Sequence, residues 1–411
     1  MGMEVFITGI GAVSPIGMTA RESFSAAVAG KSGIFAPEQF SSEITQIFAA
    51  GQVKDFSPEP YVGKREAKRM ARFTQMAIVA AAQAWEEAGL KPEEYDPERV
   101  GVVLGSGMGG LDVICEQYAE LVNNGPRSVS SFFIPKAIVN TTAGLIAIRY
   151  GLNGPCYSIV TACASGADAI GHAYYAVREG RADAMLVGGA ESVMIELAVQ
   201  GFHQMGALSE SGDVARASIP FDREREGFVI GEGAAFLLLE SEASVKKRGA
   251  KPLGSLAGYA QTCDAHHITA PQPEGKQAAR AMAEAIRDAG IAKEQIGYIN
   301  AHGTSTPLND ATESAAIESC FGAHANVLKV SSTKSMTGHM LGAAGAFEAV
   351  LSLLALNEGV APPTIGLEHE DEVCRLNYVK GTAQKIECDY ALSNSFGFGG
   401  HNSCLVLKRG R

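Results

Sequence analysis

Cys163 stands in "SIVTACASG", residues 158–166, where β-branched residues give way to small ones. The strand-like "YSIV" before it and the helical periodicity of "ASGADAIGHAYYAVREG" after it place the thiol at a helix N-terminus. Free N–H groups and the helix dipole there favour a thiolate and can donate to a developing oxyanion. Taken alone, the residue reads better as a buried structural cysteine, so its surroundings must decide. His302 in "YINAHGTSTPLND" follows a strand, within a Gly/Thr/Ser-rich loop suited to close ligand approach. His339 occupies the corresponding place after the next strand, in "KVSSTKSMTGHMLGAAGAFEA", preceded by Lys334. Neutral imidazoles can donate to a carbonyl oxygen becoming an enolate, and a buried lysine supplies fixed positive charge beside it. Cys, His and His at three strand ends make a site able to form carbon–carbon bonds. "NSFGFGGHN", residues 394–402, reads as a glycine-rich loop after another strand. It is either a tight turn that packs Phe396 and Phe398 into the core, or a gate whose backbone supplies a second oxyanion donor.

The elements that hold these residues alternate. Strand-like runs ("EVFITGI", "RVGVVLG", "ADAMLVGG", "AAFLLLE", "IGYINA", "VLKVSST") are interleaved with helical patterns such as "RFTQMAIVAAAQAWEEAG" and "GKQAARAMAEAIRDAG", which makes this an α/β chain. Internal echoes set the organisation. Glu87-Ala88-Gly89-Leu90 and Asp288-Ala289-Gly290-Ile291 each end a helix and lead to a strand ending in glycine. Gly166–Gly180 and Gly345–Gly359 then match in length, both opening with Gly-Ala and closing with Glu-Gly. Two similar halves follow, residues 1–250 and 251–411, with the site expected where they meet at strand C-terminal ends.

With 411 residues, 46% hydrophobic, the chain can bury a large core. A formal net charge of -11 without a Lys/Arg block argues against nucleic acid. The N-terminus lacks a basic leader region, and the longest small-apolar run, "GAAGAFEAVLSLLAL", contains Glu348 and is short for a bilayer. A cytoplasmic, membrane-free protein is expected. The eight cysteines are scattered without a Cys-x-x-Cys pair, so reduced thiols are the default and no metal is assigned. His266 and His267 are adjacent, which is not ligand spacing for zinc. A structural cation near the second-half loops stays open.

"TACASG", "NAHGTSTPLND", "VSSTKSMTGHMLGAAG", "NSFGFGGHN" and "PFDREREGFVIGEG" together resemble the β-ketoacyl-acyl-carrier-protein synthases, of the synthase II type. The resemblance runs from "VFITGIGAVSPIG" to "CLVLKR". It implies a thiolase-like fold of two duplicated βαβαβαββ halves in a five-layer αβαβα sandwich. It also implies a decarboxylative Claisen condensation of an acyl thioester with malonyl-acyl carrier protein. Cys163 would be the acyl-accepting nucleophile, His302 and His339 the enolate-stabilising pair, and Lys334 an electrostatic tuner supported by Glu313. The backbones of Cys163 and Phe398 would donate to the oxyanion, with Phe398 also gating the acyl tunnel and Phe396 and Gly399 supporting that gate. Thr269, Thr304 and Thr306 would hold the phosphopantetheine arm, and Met108, Phe133, Ile134, Val193, Ala198 and Phe202 would line the acyl pocket. No bound cofactor is implied beyond the carrier-borne arm; acyl carrier protein and a second copy of the chain are the implied partners.

Met108 replaces the isoleucine usual in synthase II enzymes, and Val193 and Ala198 stand where smaller residues are usual. Added volume shortens or bends a tunnel unless neighbours yield. A ketosynthase of a polyketide or polyene pathway is therefore the alternative. A dinucleotide-binding oxidoreductase is a weaker one: "GSGMGG" satisfies G-x-G-x-x-G, but no acidic strand end follows about 20 residues on. An inactive chain-length partner would lack the active cysteine.

Overall fold

The computed structural model describes residues 4–37, 40 and 47–410. Ten strands form one hydrogen-bonded sheet: β1 (Val5–Val13), β2 (Val100–Gly105), β3 (Cys156–Ile159), β4 (Ala184–Glu191), β5 (Gly233–Ser241), β6 (Gly254–Cys263), β7 (Ile296–Asn300), β8 (Lys329–Ser331), β9 (Tyr390–Gly397) and β10 (His401–Arg409). Their spatial order is β8-β7-β9-β10-β6-β1-β5-β4-β2-β3. Each strand of the second half thus occupies the place of the strand five earlier. The pairings agree: β2 is parallel to β3 and β4, as β7 is to β8 and β9. β5 runs antiparallel to β4 and β1, as β10 does to β9 and β6. Among the described residues, the one strand pairing between the two five-stranded units is Val5–Ile7 against Gly254–Leu256.

Helices stack on both faces. The ones that matter for the site are α1 (Arg72–Ala88), α2 (Leu111–Asn124), α3 (Asn140–Tyr150), α4 (Ser165–Arg178), α5 (Glu196–Gln204), α6 (Lys276–Asp288), α7 (Pro307–Phe321), α8 (Lys334–Thr337) and α9 (Ala344–Glu358). Val102 and Leu104 of β2, with Phe236 and Leu238 of β5, pack outward onto α1 and α3. Val103, Leu237 and Leu239 turn inward onto α4 and α9. In the other unit Leu405 and Leu407 join that inner core, while Cys404 and Val406 face α6 and α7. Both sides of every central strand are therefore covered, so the strands read as continuous apolar runs although their side chains alternate with period two. The layers are helix, sheet, helix, sheet, helix.

α9 lies in the middle layer, buried from Ala344 to Leu356 on all sides. That explains its all-round hydrophobicity. With its leading turn, Leu341–Glu358 reaches 18 residues of membrane-like composition, longer than the sequence run indicates, yet 89% of it is buried in the protein. Glycines stop the matched helices: Gly89 after α1 and Gly290 beyond α6 have φ of 62° and 68°, a left-handed backbone that glycine adopts without a Cβ clash.

Three boundaries differ from expectation. β1 continues to Val13, and β4 continues to Glu191, which carries a carboxylate to the end of an apolar strand. "NSFG" is strand rather than loop, because Ser393–Gly397 pairs with His401–Leu405. Only Phe398, Gly399 and Gly400 form the turn, with Gly399 and Gly400 at φ 90° and 77°.

Candidate active site

Cys163 stands in a short turn, Ala162–Ala164, that runs directly into α4. Ala162 has φ 51°, a left-handed conformation costly for an alanine, and it swings the chain sharply from β3 into the helix. Leu341 repeats that geometry at φ 47° before the turn Leu341–Ala343 and α9. Cys163 as a whole is 9% exposed. Burial pushes its thiol up to about 12, opposed by the Lys334 ammonium and by the N–H groups of Phe398 and Cys163 itself, with the Glu191 carboxylate adding to the rise. This corrects the expected resting thiolate: desolvation outweighs the helix terminus.

His302 follows β7, and His339 follows α8; both are 2% exposed. Cys163 Sγ and one nitrogen of each imidazole all lie within 4.8 Å of one another. The two rings meet edge-on, centroids 5.2 Å apart. Burial, then the positive charge of Lys334, holds both imidazoles well below 6.5, with His339 adding to the effect on His302. They are neutral at physiological pH. His339 Nδ1 accepts from the Leu341 N–H at 3.3 Å, so its proton sits on Nε2. That Nε2, like His302 Nδ1, is buried without a hydrogen-bond partner among the described residues. A buried donor left unpaired in the resting state is free for a substrate oxygen.

The supports differ in part from the sequence reading. Lys334 pairs with Glu348 of α9, both side chains buried. Glu313 of α7 does not touch that ammonium. It accepts from the N–H groups of His302 at 2.9 Å and Gly303 at 2.8 Å, and from Asn394 Nδ2 at 3.1 Å. Its role is to hold the His302 loop, while burial raises its carboxyl to about 7. Glu348 went unrecognised because its pairing depends on how α8 and α9 pack; its charge inside an apolar helix was the available signal.

Gly397 closes the oxyanion side. A Cβ there would lie 3.2 Å from the Cys163 and Ala164 nitrogens and 2.6 Å from the Thr161 oxygen. Only glycine lets the β9 end approach the Cys163 turn so closely, which brings the Phe398 N–H to the sulfur beside the N–H of Cys163. Phe396, Gly397 and Phe398 all line a cavity of about 330 Å³ with Cys163, His302 and His339. Thr269, Thr304 and Thr306 line it as well, and the hydroxyls of Thr304 and Thr306 are 2.9 Å apart. Gly399 donates to the Ile268 carbonyl at 2.7 Å, fixing the turn beside the Thr269 segment.

Met108, Val193, Ala198 and Phe202 share one apolar cluster with Cys163, closed by Phe228 and Leu341. Phe133 and Ile134 do not join it. Phe133 packs with the outer core of the first half, and Ile134 is 57% exposed. Among the described residues of one chain, neither joins the apolar cluster around Cys163. The "GSGMGG" loop also fails as a dinucleotide cradle, because the N–H groups of Gly107 and Met108 are already committed to Glu191. His267 spends Nδ1 on the Thr269 and Ala270 N–H groups, and neither it nor His266 enters a possible metal cluster among the described residues.

Comparison with known proteins places this geometry. Residues 3–244 match the N-terminal domain of beta-ketoacyl synthase and residues 253–368 its C-terminal domain. The 3-oxoacyl-[acyl-carrier-protein] synthase 2 of Synechocystis sp. is 47% identical over 407 residues, covering 99% of this chain and 98% of that protein. Among solved structures, the ishigamide ketosynthase/chain length factor superposes with a TM-score of 0.93 at 33% identity, covering 100% of both chains. A type II PKS ketosynthase in complex with its acyl-carrier protein, bound to the hexaketide, gives 0.90 at 33% identity, again with 100% of each chain covered. The chain belongs to the β-ketoacyl synthase family.

Proposed function

We propose that the chain condenses an acyl group, held on Cys163, with malonyl-acyl carrier protein, releasing CO2 and 3-oxoacyl-acyl carrier protein in fatty acid elongation. The observation that carries this reading is the pair of neutral, buried imidazoles, with unpaired nitrogens, beside a thiol flanked by two backbone donors. In the first step the Cys163 sulfur attacks the carrier thioester while a neutral imidazole takes its proton. The oxyanion falls between the N–H groups of Cys163 and Phe398, and collapse expels the carrier sulfur, which takes the proton back from the imidazolium and leaves as a thiol. In the second step the malonyl carboxylate leaves as CO2. Its bonding electrons become an enolate whose oxygen accepts from His339 Nε2–H and from His302. The enolate carbon then attacks the acyl-cysteine, and the Cys163 sulfur departs. Thr304, Thr306 and Thr269 line the route for the phosphopantetheine arm.

Incubation with acyl- and malonyl-carrier thioesters, followed by intact mass measurement, tests the reading: acylated Cys163 and a product two carbons longer support it, and absence of both overturns it. A polyketide or polyene ketosynthase is the second reading, favoured by Met108 and Val193 in the wall of the acyl cluster. Efficient elongation of long saturated acyl carriers would decide for fatty acids.

The chain works in the cytoplasm as two halves, 1–250 and 251–411, and as a homodimer. Exposed Tyr118 and Val122 of α2, Ile134, and Val160 beside the edge strand β3 support that assembly. Burying Ile134 against a second copy would give it the apolar contact it lacks in one chain. Light scattering in solution checks the dimer. A structural cation fits the second half: Asn300 Oδ1, Glu348 Oε2 and Ser393 Oγ are buried without hydrogen-bond partners among the described residues, and Asn300 is in register with Ser393. Such oxygens suit a hard cation that ties strands together.

A further inference from the structure

Glu191 has no part in the reaction described above, yet it is fully buried beside the site. Its Oε2 accepts from the Gly107 N–H at 2.6 Å and the Gly342 N–H at 3.2 Å. Its Oε1 accepts from Ser106 Oγ at 3.0 Å and the Met108 N–H at 3.2 Å. Ser106 Oγ itself accepts from the Gly109 N–H at 3.2 Å, so its own proton points to the carboxylate. Every partner can donate, so these bonds favour the ionised carboxylate against burial, which raises the Glu191 carboxyl above its ordinary value.

The internal repeat gives this arrangement a meaning. Glu191 and Gly397 end equivalent strands, since Glu191 pairs with Gly233 at the start of β5 as Gly397 pairs with His401 at the start of β10. The turns that face them are equivalent too, Ala162–Ala164 before α4 and Leu341–Ala343 before α9, each opened by a residue near φ 50°. At Gly397 there is no side chain, and the Cys163 N–H stays open for a substrate oxyanion. At Glu191 a carboxylate reaches the matching Gly342 N–H and fills the second copy of the anion site from within.

We propose that Glu191 is a positioning residue for acyl transfer: a built-in anion that locks the Ser106–Met108 loop to the start of α9 and thereby sets Met108 against the acyl cluster. The proposal rests on the condensing reading. It predicts that the carboxylate governs how Cys163 is acylated and which chain lengths fit, while the two imidazoles work without it.

The test compares Glu191→Gln with Glu240→Gln, a buried carboxylate paired with Arg248 far from the site. Glutamine keeps the volume but replaces an acceptor by a donor facing other donors. Acylation of Cys163 should slow on the order of tenfold or more, because small misplacements at a reacting centre are costly. The rate ratio between short and long acyl carriers should also change. Malonyl decarboxylation, measured with Cys163→Gln alone and with Cys163→Gln combined with Glu191→Gln, should agree within about twofold. Glu240→Gln should lower thermal stability and leave the chain-length ratio as it was. Ser106→Ala, which removes one donor and keeps the charge, should shift the ratio in the same direction by less, and it serves if Glu191→Gln does not fold. An unchanged chain-length ratio in both variants, or decarboxylation lost in step with acylation, overturns the proposal. Failure of the wild-type chain to acylate at all would instead overturn the condensing reading.

Discussion

At the scale of single residues, the site works by withholding solvent. Burial leaves Cys163 protonated, up to about 12, and both imidazoles neutral. The sign follows directly: below that value each unit of pH raises the thiolate fraction, so alkylation of the resting enzyme by iodoacetamide should climb about tenfold per unit from pH 7 to 9. A plateau near neutral pH would mean a resting thiolate–imidazolium pair instead. Cys163→Ala should abolish condensation, whereas Cys163→Gln should leave malonyl decarboxylation running, because the imidazole donors are untouched; condensation by Cys163→Ala, read by product mass, would refute the assigned nucleophile. Gly397→Ala puts a methyl 2.6 Å from the Thr161 oxygen and 3.2 Å from the Cys163 nitrogen. That displaces both oxyanion donors, and loss of one commonly costs about 3–4 kcal/mol in the barrier. Single-turnover acylation should therefore fall by roughly two to three orders of magnitude. Cys163 and both histidines could be singled out in the sequence because the cysteine stands where β-branched residues give way to small ones and each histidine lies beside glycine in a loop after a strand. Their protonation states could not, since those depend on how deeply the assembled layers bury them.

Elements were read from periodicity and placed by packing. The helices over 72–88 and 276–288 stand where their apolar spacing predicts, and the matched pair at 165–178 and 344–358 follows the echo in length and sequence. Misreadings arose where side chains from distant elements meet. "NSFGFGG" carries three glycines that signal a loop, yet its first residues, Gly397 included, pair with β10 and only three turn. "NDATE" offered an acidic residue for Lys334, but α7 aims Glu313 at the His302 backbone, and α9 supplies Glu348 instead. The Lys334–Glu348 pair joins α8 to the buried core helix with neither group in contact with solvent. Removing one partner strands the other charge, at a cost of about 3–5 kcal/mol. Glu348→Gln should thus lower the melting temperature by several degrees, and Lys334→Met combined with Glu348→Leu should recover much of the loss. A single variant as stable as wild type would show that the pair bears no such strain.

For the whole molecule, the repeat makes one core from two halves. Among the described residues the two five-stranded units pair only through the short β1–β6 contact, but α4 and α9 lie side by side between them and contribute to one cluster with residues of both halves. The candidate site lies on that seam: Cys163 stands in the turn before α4, while His302, His339 and the Phe398 turn come from the second half. Neither half can present the site alone, nor cover its inner face. Unfolding should accordingly be a single transition for the chain. Leu353 of α9 is fully buried in the shared cluster, and Leu353→Ala should cost about 2–5 kcal/mol. The informative readout is where protection is lost. If the seam couples the halves, amide exchange in α1, on the outer face of the first half, should accelerate together with exchange in α6, although neither helix belongs to the shared cluster. Faster exchange confined to α6 and α7 would mean that the halves unfold independently and that the seam positions catalytic groups without joining the two stabilities.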